Sequence, residues 1–170
     1  MGVTTVGSFK DDIAFDKVRM ALMMRDCTKA SIDKMQEIIK RKTPVAEDHT
    51  HAGVKHPPGH LRDSINTKGP RKISKDAMQG EVYSSLNYAA AIEYGMSPKT
   101  VHAKHGGKLA FLHDGKLVVV STATNKGWDG SHMFQKGAAE FERVWAERIA
   151  RNKAHEWLGA VDAGRSIAVI

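Results

Sequence analysis

The sequence predicts an α+β domain in which a long N-terminal helix and a C-terminal helix pack on a small, mainly antiparallel β-sheet. Three observations predict it. A helical stretch runs unbroken from about residue 12 to Pro44. The segment KLAFLHDGKLVVVS places two apolar runs either side of Asp114-Gly115, the favoured pair for a two-residue hairpin turn. Phe134, Ala138, Phe141, Trp145 and Ile149 then recur at spacings of 4, 3, 4 and 4, which is one face of a helix. Helix, antiparallel strands and helix in that order give two layers around one core.

Residues 1–10 hold turn and strand formers without a period and read as a flexible arm. Asp11 or Asp12 can cap the first helix, and Pro44 ends it, because a proline disfavours the α region for its predecessor. About thirty residues at 1.5 Å each make a rod of roughly 45 Å. Ile13, Met20, Met24, Cys27, Met35 and Ile38 fall on one side of it, and Phe15, Val18 and Leu22 on an adjoining side. A helix covering one sheet needs one apolar face. The broader face predicts a second neighbour, either another element or another subunit, or else wrapping by the chain's own loops.

Residues 43–60 have no period and several breakers, so they read as a long His-rich loop. LRDSINTK reads as a turn entering a strand, GPRKISKD as a basic loop tip, and GEVYSS as a short strand. MSPKTVHAKHGGK reads as a second basic loop, and TATNKGWDGS as a loop after the hairpin. The last helix starts near Ser131 and ends at Gly159. Glu140 with Arg143, and Glu147 with Arg151, are expected to pair on its exposed side. Residues 159–170 form an apolar, β-prone tail able to add to a sheet edge.

The 170 residues fit one domain with a real core, and the composition, 41% hydrophobic and 26% charged, is that of a globular protein. The net charge of +7 suits an acidic partner, either nucleic acid or an acidic protein surface. The single cysteine, Cys27, excludes an intrachain disulfide framework and reads as a small buried hydrophobe. No apolar stretch is long enough to span a membrane, and the N-terminus lacks the regions of a signal peptide, which points to folding in a cytosol.

Candidate chemistry is sparse. His49, His51, His56 and His60 crowd one loop beside Glu47, Asp48 and Asp63, a set of types that can bind zinc. They sit among Pro and Gly without the rigid spacing of a hydrolase centre, so the expectation is no metal and no cofactor. No nucleophile elbow or phosphate loop is present. Lys68, Arg71, Lys72 and Lys75 cluster at one tip, and Lys99, Lys104 and Lys108 at another. They could meet phosphates, but the aromatic interleaving of a base-stacking surface is missing.

The stretch NYAAAIEYG, residues 87–95, sets one carboxylate among small apolar residues. A lone carboxylate there is costly unless paired. Glu93 is therefore expected to have a basic or backbone N–H partner: Arg62, Lys99 or a residue of a neighbouring subunit. Tyr88 and Tyr94 can bury a ring while the hydroxyl finds a partner. Gly95 frees the backbone for a sharp exit. The segment reads as a joint rather than an active site.

PPGHLRDSI (57–65), YAAAIEYG (88–95) and SHMFQKGAAEF (131–141), all following a long helix, together resemble the tail-completion or neck protein family of long-tailed bacteriophages. Gly59, Leu61, Arg62 and Ser64 fit the first motif of that family. Tyr88, Ala89, Glu93 and Gly95 fit the second, with Ile92 and Tyr94 as conservative replacements. Phe134 fits the third, although Met133 stands where proline is common, and the insertion before Gly59 is longer than usual. The resemblance covers residues 12 to 150. It implies a non-enzymatic virion protein without cofactors, assembled in the host cytoplasm. Such a protein joins copies of itself in a ring, commonly six, between the capsid connector and the tail tube or its terminator, with double-stranded DNA passing through the lumen. It has no membrane partner. Arg62, Glu93, Tyr94 and residues 96–108 are then expected at interfaces or in the scaffold. A basic nucleic-acid-binding module is the alternative function.

Overall fold

A computed structural model describes the backbone of residues 9–45, 49–51, 54–113 and 115–162, and side chains within 17–45, 57–112 and 115–159. Residues 1–8 of the expected arm and the apolar end of the tail lie outside the described residues, as do the side chains of Ile13 and Phe15; Phe9 and Lys10, the end of that arm, are helix instead. The chain is α+β, as predicted: helices with small antiparallel sheets. It divides into two compact units, Met1–Ser85 with Met133–Ile170, and Leu86–His132.

The first unit is built on α1 (Phe9–Lys42), 34 residues or about 51 Å long. Arg41 and Lys42 close its last turn, where cations complement the helix dipole. The Thr43 hydroxyl, buried, donates to the Ile39 carbonyl at 2.8 Å. The expected 43–60 loop contains a short hairpin, β1 (His49–His51) and β2 (Val54–His56), followed by the single turn α2 (His60–Asp63). Then β3 (Ile65–Ser74) and β4 (Ala77–Ser84) form the longest ladder, with register shifts between Lys68 and Arg71 and between Lys72 and Ser74. The GPRKISKD tip is therefore strand down to Ser74, and only Lys75-Asp76 turns. The turn residues Gly and Pro that suggested a loop sit instead at an irregularity, where a ladder tolerates them.

The C-terminal helix is two helices, α4 (Met133–Val144) and α5 (Ala146–Asp162), which continue past Gly159. They break at Trp145, yet the backbone bonds Trp145 N–H to Phe141 O and Ile149 N–H to Trp145 O carry across, at 2.8 and 2.9 Å. Lys34 lies over the Trp145 ring, 4.1 Å from its centre, with Arg148 at 5.3 Å.

The core of this unit is Ile32, Ile38, Ile39, Leu61, Ile65, Met133 and Phe141. It differs from the expected stripe. Met20 and Val18 are exposed, Met24 and Cys27 are half-buried, and burial shifts to the C-terminal half of α1. Two glycines decide where. A Cβ at Gly80 would collide with the Ile32 side chain, and one at Gly137 would lie 2.5 Å from Ile39 Cγ1. The β4 backbone and α4 therefore approach α1 most closely at Ile32 and Ile39. On α4 the buried positions are Met133, Gly137 and Phe141, and Ala138 is exposed. Glu140 does not pair with Arg143; Arg41 and Lys42 take it, the latter at 2.7 Å. Glu147 does pair with Arg151, at 2.5 Å.

The second unit holds α3 (Ala89–Tyr94), β5 (Gly95–Met96), β6 (Lys99–His102), a 3-10 turn at Lys104–Gly106, β7 (Leu109–His113), β8 (Lys116–Val120), β9 (Thr122–Asn125) and β10 (Trp128–Asp129). The hairpin β7–β8 forms in the predicted register, His113 opposite Lys116, with Gly115 at a φ of 74°. The two segments read as loops each contain two short strands. β6 pairs with β9, Lys99 opposite Asn125, and β5 pairs with β10, Trp128 opposite Met96. Their partners lie 20–34 residues along the chain, so neither shows as a local hairpin.

Candidate interaction surface

The motif residues of the first unit form a structural joint. Gly59 precedes α2 with a φ of 79°, in the left-handed region where a side chain is strained, and a Cβ there would meet Arg62 Nη2 at 2.9 Å. Leu61 is buried. The Ser64 hydroxyl lies 2.7 Å from both the Leu61 carbonyl and the Ser84 hydroxyl, tying the turn to the end of β4. The next residue, Ile65, is fully buried, and its carbonyl accepts from Gln36 Nε2 at 2.7 Å. PPGHLRDSI thus seats the start of β3 on α1. Arg62 is exposed and pairs with the adjacent Asp63 at 3.3 Å.

The second motif also forms a joint. Ala89 and Glu93 are buried, Glu93 to 5% exposure, while Tyr94 is 77% exposed. Burial holds the Tyr88 phenol above its ordinary pKa of 10.0. The carbonyls of Ile92 and Glu93 accept from Ser131 N–H at 2.8 Å and His132 N–H at 3.1 Å, so two amides from the far end of the unit complete the end of α3. Gly95 leaves with a φ of 80°, and a Cβ on it would strike the Trp128 carbonyl; a Cβ on Gly130 would strike the Glu93 carbonyl. The paired glycines let the two backbones close. Gly130 and the Ser131-His132 amides were not singled out in the sequence, though glycines flanking Trp128-Asp129 are the signal of such an approach. Phe134 lies on α4, half-buried.

Among the described residues no group of three or more His, Cys, Asp or Glu is placed to hold a metal. In β1–β2 the register sets His49 opposite His56, but the side chains of that segment lie outside the described residues. Cys27 lines an open groove of about 360 Å³ with Met23, Met24 and Met78. No described helix is long and apolar enough to cross a membrane.

Exposed apolar surface concentrates in the second unit. On β7–β8 the register sorts side chains onto two faces. Leu109, Val118 and Val120, with Phe111, make one face, largely half-buried. Ala110, Leu112, Leu117 and Val119 make the other, and all four are exposed, Leu112 to 74%, Leu117 to 68% and Val119 to 49%. The sequence held the signal: the apolar run LVVV does not alternate with polar residues, so both faces are apolar. Beside it Lys99, His102, Lys104, His105 and Lys108 are exposed along one stretch of chain.

No protein-family model, no curated protein and no solved structure matches the chain.

Proposed function

We propose that the chain is a ring-forming head–tail joining protein of a tailed phage, a non-enzymatic adaptor between the capsid connector and the tail tube or its terminator. One observation carries the reading. The 47-residue second unit buries only Ala89 and Glu93 among its described residues, yet exposes large apolar groups on β6, β7, β8 and β10. A surface of that kind marks an interaction site. The ordered motif set 57–65, 88–95 and 131–141 supports the same reading, because its first two motifs build joints rather than pockets. In the virion neck the exposed lysines of residues 99–108 would face genomic double-stranded DNA.

Light scattering on the purified chain, with negative-stain images of the same sample, tests the ring. Co-purification with connector and tail-tube proteins tests the adaptor. A chain that neither closes into rings nor co-purifies with a connector overturns the reading.

The same lysines support a second reading, a basic nucleic-acid-binding module. It requires duplex binding whose log-affinity falls with log-salt, by about 0.9 for each phosphate neutralised. Replacing Lys99, Lys104 and Lys108 by Ala then flattens that slope by roughly 3. Absence of salt-dependent duplex binding removes it.

A further inference from the structure

β7 and β8 pair with each other alone among the described residues, so both outer edges of the hairpin lack a strand neighbour. Each strand has five residues, and a two-stranded ribbon by itself is marginal in water. The hairpin edges are also unguarded. No proline or bulge interrupts Leu109–His113 or Lys116–Val120, and the charged positions sit at the flanks, Lys108 and Lys116.

The geometry points to a second copy of this chain as the occupant of that edge: β8 of one subunit pairs with β7 of the next, and repetition around a ring axis closes the hairpins into one continuous sheet. Three features fit a copy better than a foreign strand. The free edges of a hairpin run in opposite directions, so copies related by rotation meet in the antiparallel sense. The strands are equal in length, so one edge covers the other. In a hairpin closed by two residues, the pair flanking the turn bonds inward, and alternate positions direct their N–H and C=O outward. Those positions are Ala110 and Leu112 on one edge and Leu117 and Val119 on the other. They are the same residues whose side chains make the exposed apolar face, so edge pairing also sets Leu117 of one subunit beside Leu112 of the next. A foreign strand would fill one edge and leave the other open. Head-to-tail copies fill both, and closure leaves no edge.

This contact rests on the ring reading above. Sedimentation velocity of the full chain across concentration, with amide hydrogen exchange on the same samples, tests it. In the assembled chain the Leu117 and Val119 amides should exchange at least about a hundredfold more slowly than in the dilute monomer. Leu112→Lys with Leu117→Lys alters two exposed side chains, and Val119→Pro removes one outward N–H while sparing the inward ladder. Each should leave the far-ultraviolet spectrum unchanged and reduce the assembly to monomer. Rings that persist in both variants, or edge amides that exchange at the solvent rate inside the ring, overturn the contact and leave the joining reading standing. A wild-type chain that stays monomeric throughout also overturns it, and co-purification with the connector then decides the joining reading on its own.

Discussion

At Gly95 strain and crowding coincide. Its φ of 80° is one that L side chains rarely adopt, and a Cβ would strike the Trp128 carbonyl. Gly95→Ala should therefore cost about 1–3 kcal/mol, read from a denaturant midpoint, since backbone strain of this kind is worth that much and a backbone carbonyl cannot swing aside. A midpoint equal to wild type would mean the α3–β5 exit is not as described. The motif's glycine was legible as a stop after YAAAIEY; the backbone it stops against, 33 residues on at Trp128, was not. Glu140 was misread for a similar reason. Its spacing suggested Arg143, but the cations that reach it are Arg41 and Lys42, about a hundred residues away. Its carboxyl is held below the ordinary value of 4.5, first by the hydrogen bond from Lys42, and by Arg41. A lowered native pKa contributes stability above the unfolded value, lost as pH falls through the native one. Glu140→Gln should thus lower Tm slightly at pH 7. The gap to wild type should close as pH falls below about 4.5 and shrink in high salt. A gap that widened in acid would contradict the assignment.

At the scale of elements, local signals were legible and long-range ones were not. The β7–β8 hairpin declares itself through Asp-Gly between apolar runs, and the C-terminal helices through their spacing. Residues 95–102 and 122–129 carry turn formers and lysines, and they become strands only because each pairs with the other across the hairpin. The broad apolar face of the first half of α1 was expected to find a second neighbour, yet Val18 and Met20 on it are exposed. What fixes the burial instead is where Gly80 and Gly137 let partners approach, at Ile32 and Ile39. Two helix glycines therefore respond with opposite sign. Gly137→Val pushes methyls into Ile39, itself buried, and should destabilise by about 1–3 kcal/mol through overpacking. Gly159→Ala, exposed on α5 with open space around its missing Cβ, should stabilise by about 0.5–1 kcal/mol by restricting the unfolded chain and favouring helix. Thermal melts of the pair check both; equal shifts would show that Gly137 is not a packing site.

For the whole molecule, burial is divided unequally between the two units. The fully buried side chains Ile38, Ile39, Ile65 and Met133 all belong to the first unit, and α1, β3–β4 and α4 share them. The second unit has the closed α3–β5–β10 joint, but its ladders β6–β9 and β7–β8 expose most of their side chains. Opening free energy follows buried apolar surface and protected backbone. In the dilute monomer, amides of residues 32–43, 65–67 and 133–145 should therefore exchange slowest, by the global unfolding route. Those of residues 97–125 should exchange through local opening, faster by several orders of magnitude. The ordering follows from the fold alone, so it holds whether or not copies associate. Association then gives the discriminating outcome: protection gained on assembly should appear in the second unit, while that of the first unit stays at its monomer level. Protection gained instead on α1 around the exposed Val18 and Met20 would move the subunit contact to that helix. In that case the broad apolar face, which the sequence shows and the described chain leaves partly uncovered, would be the surface that finds a neighbour.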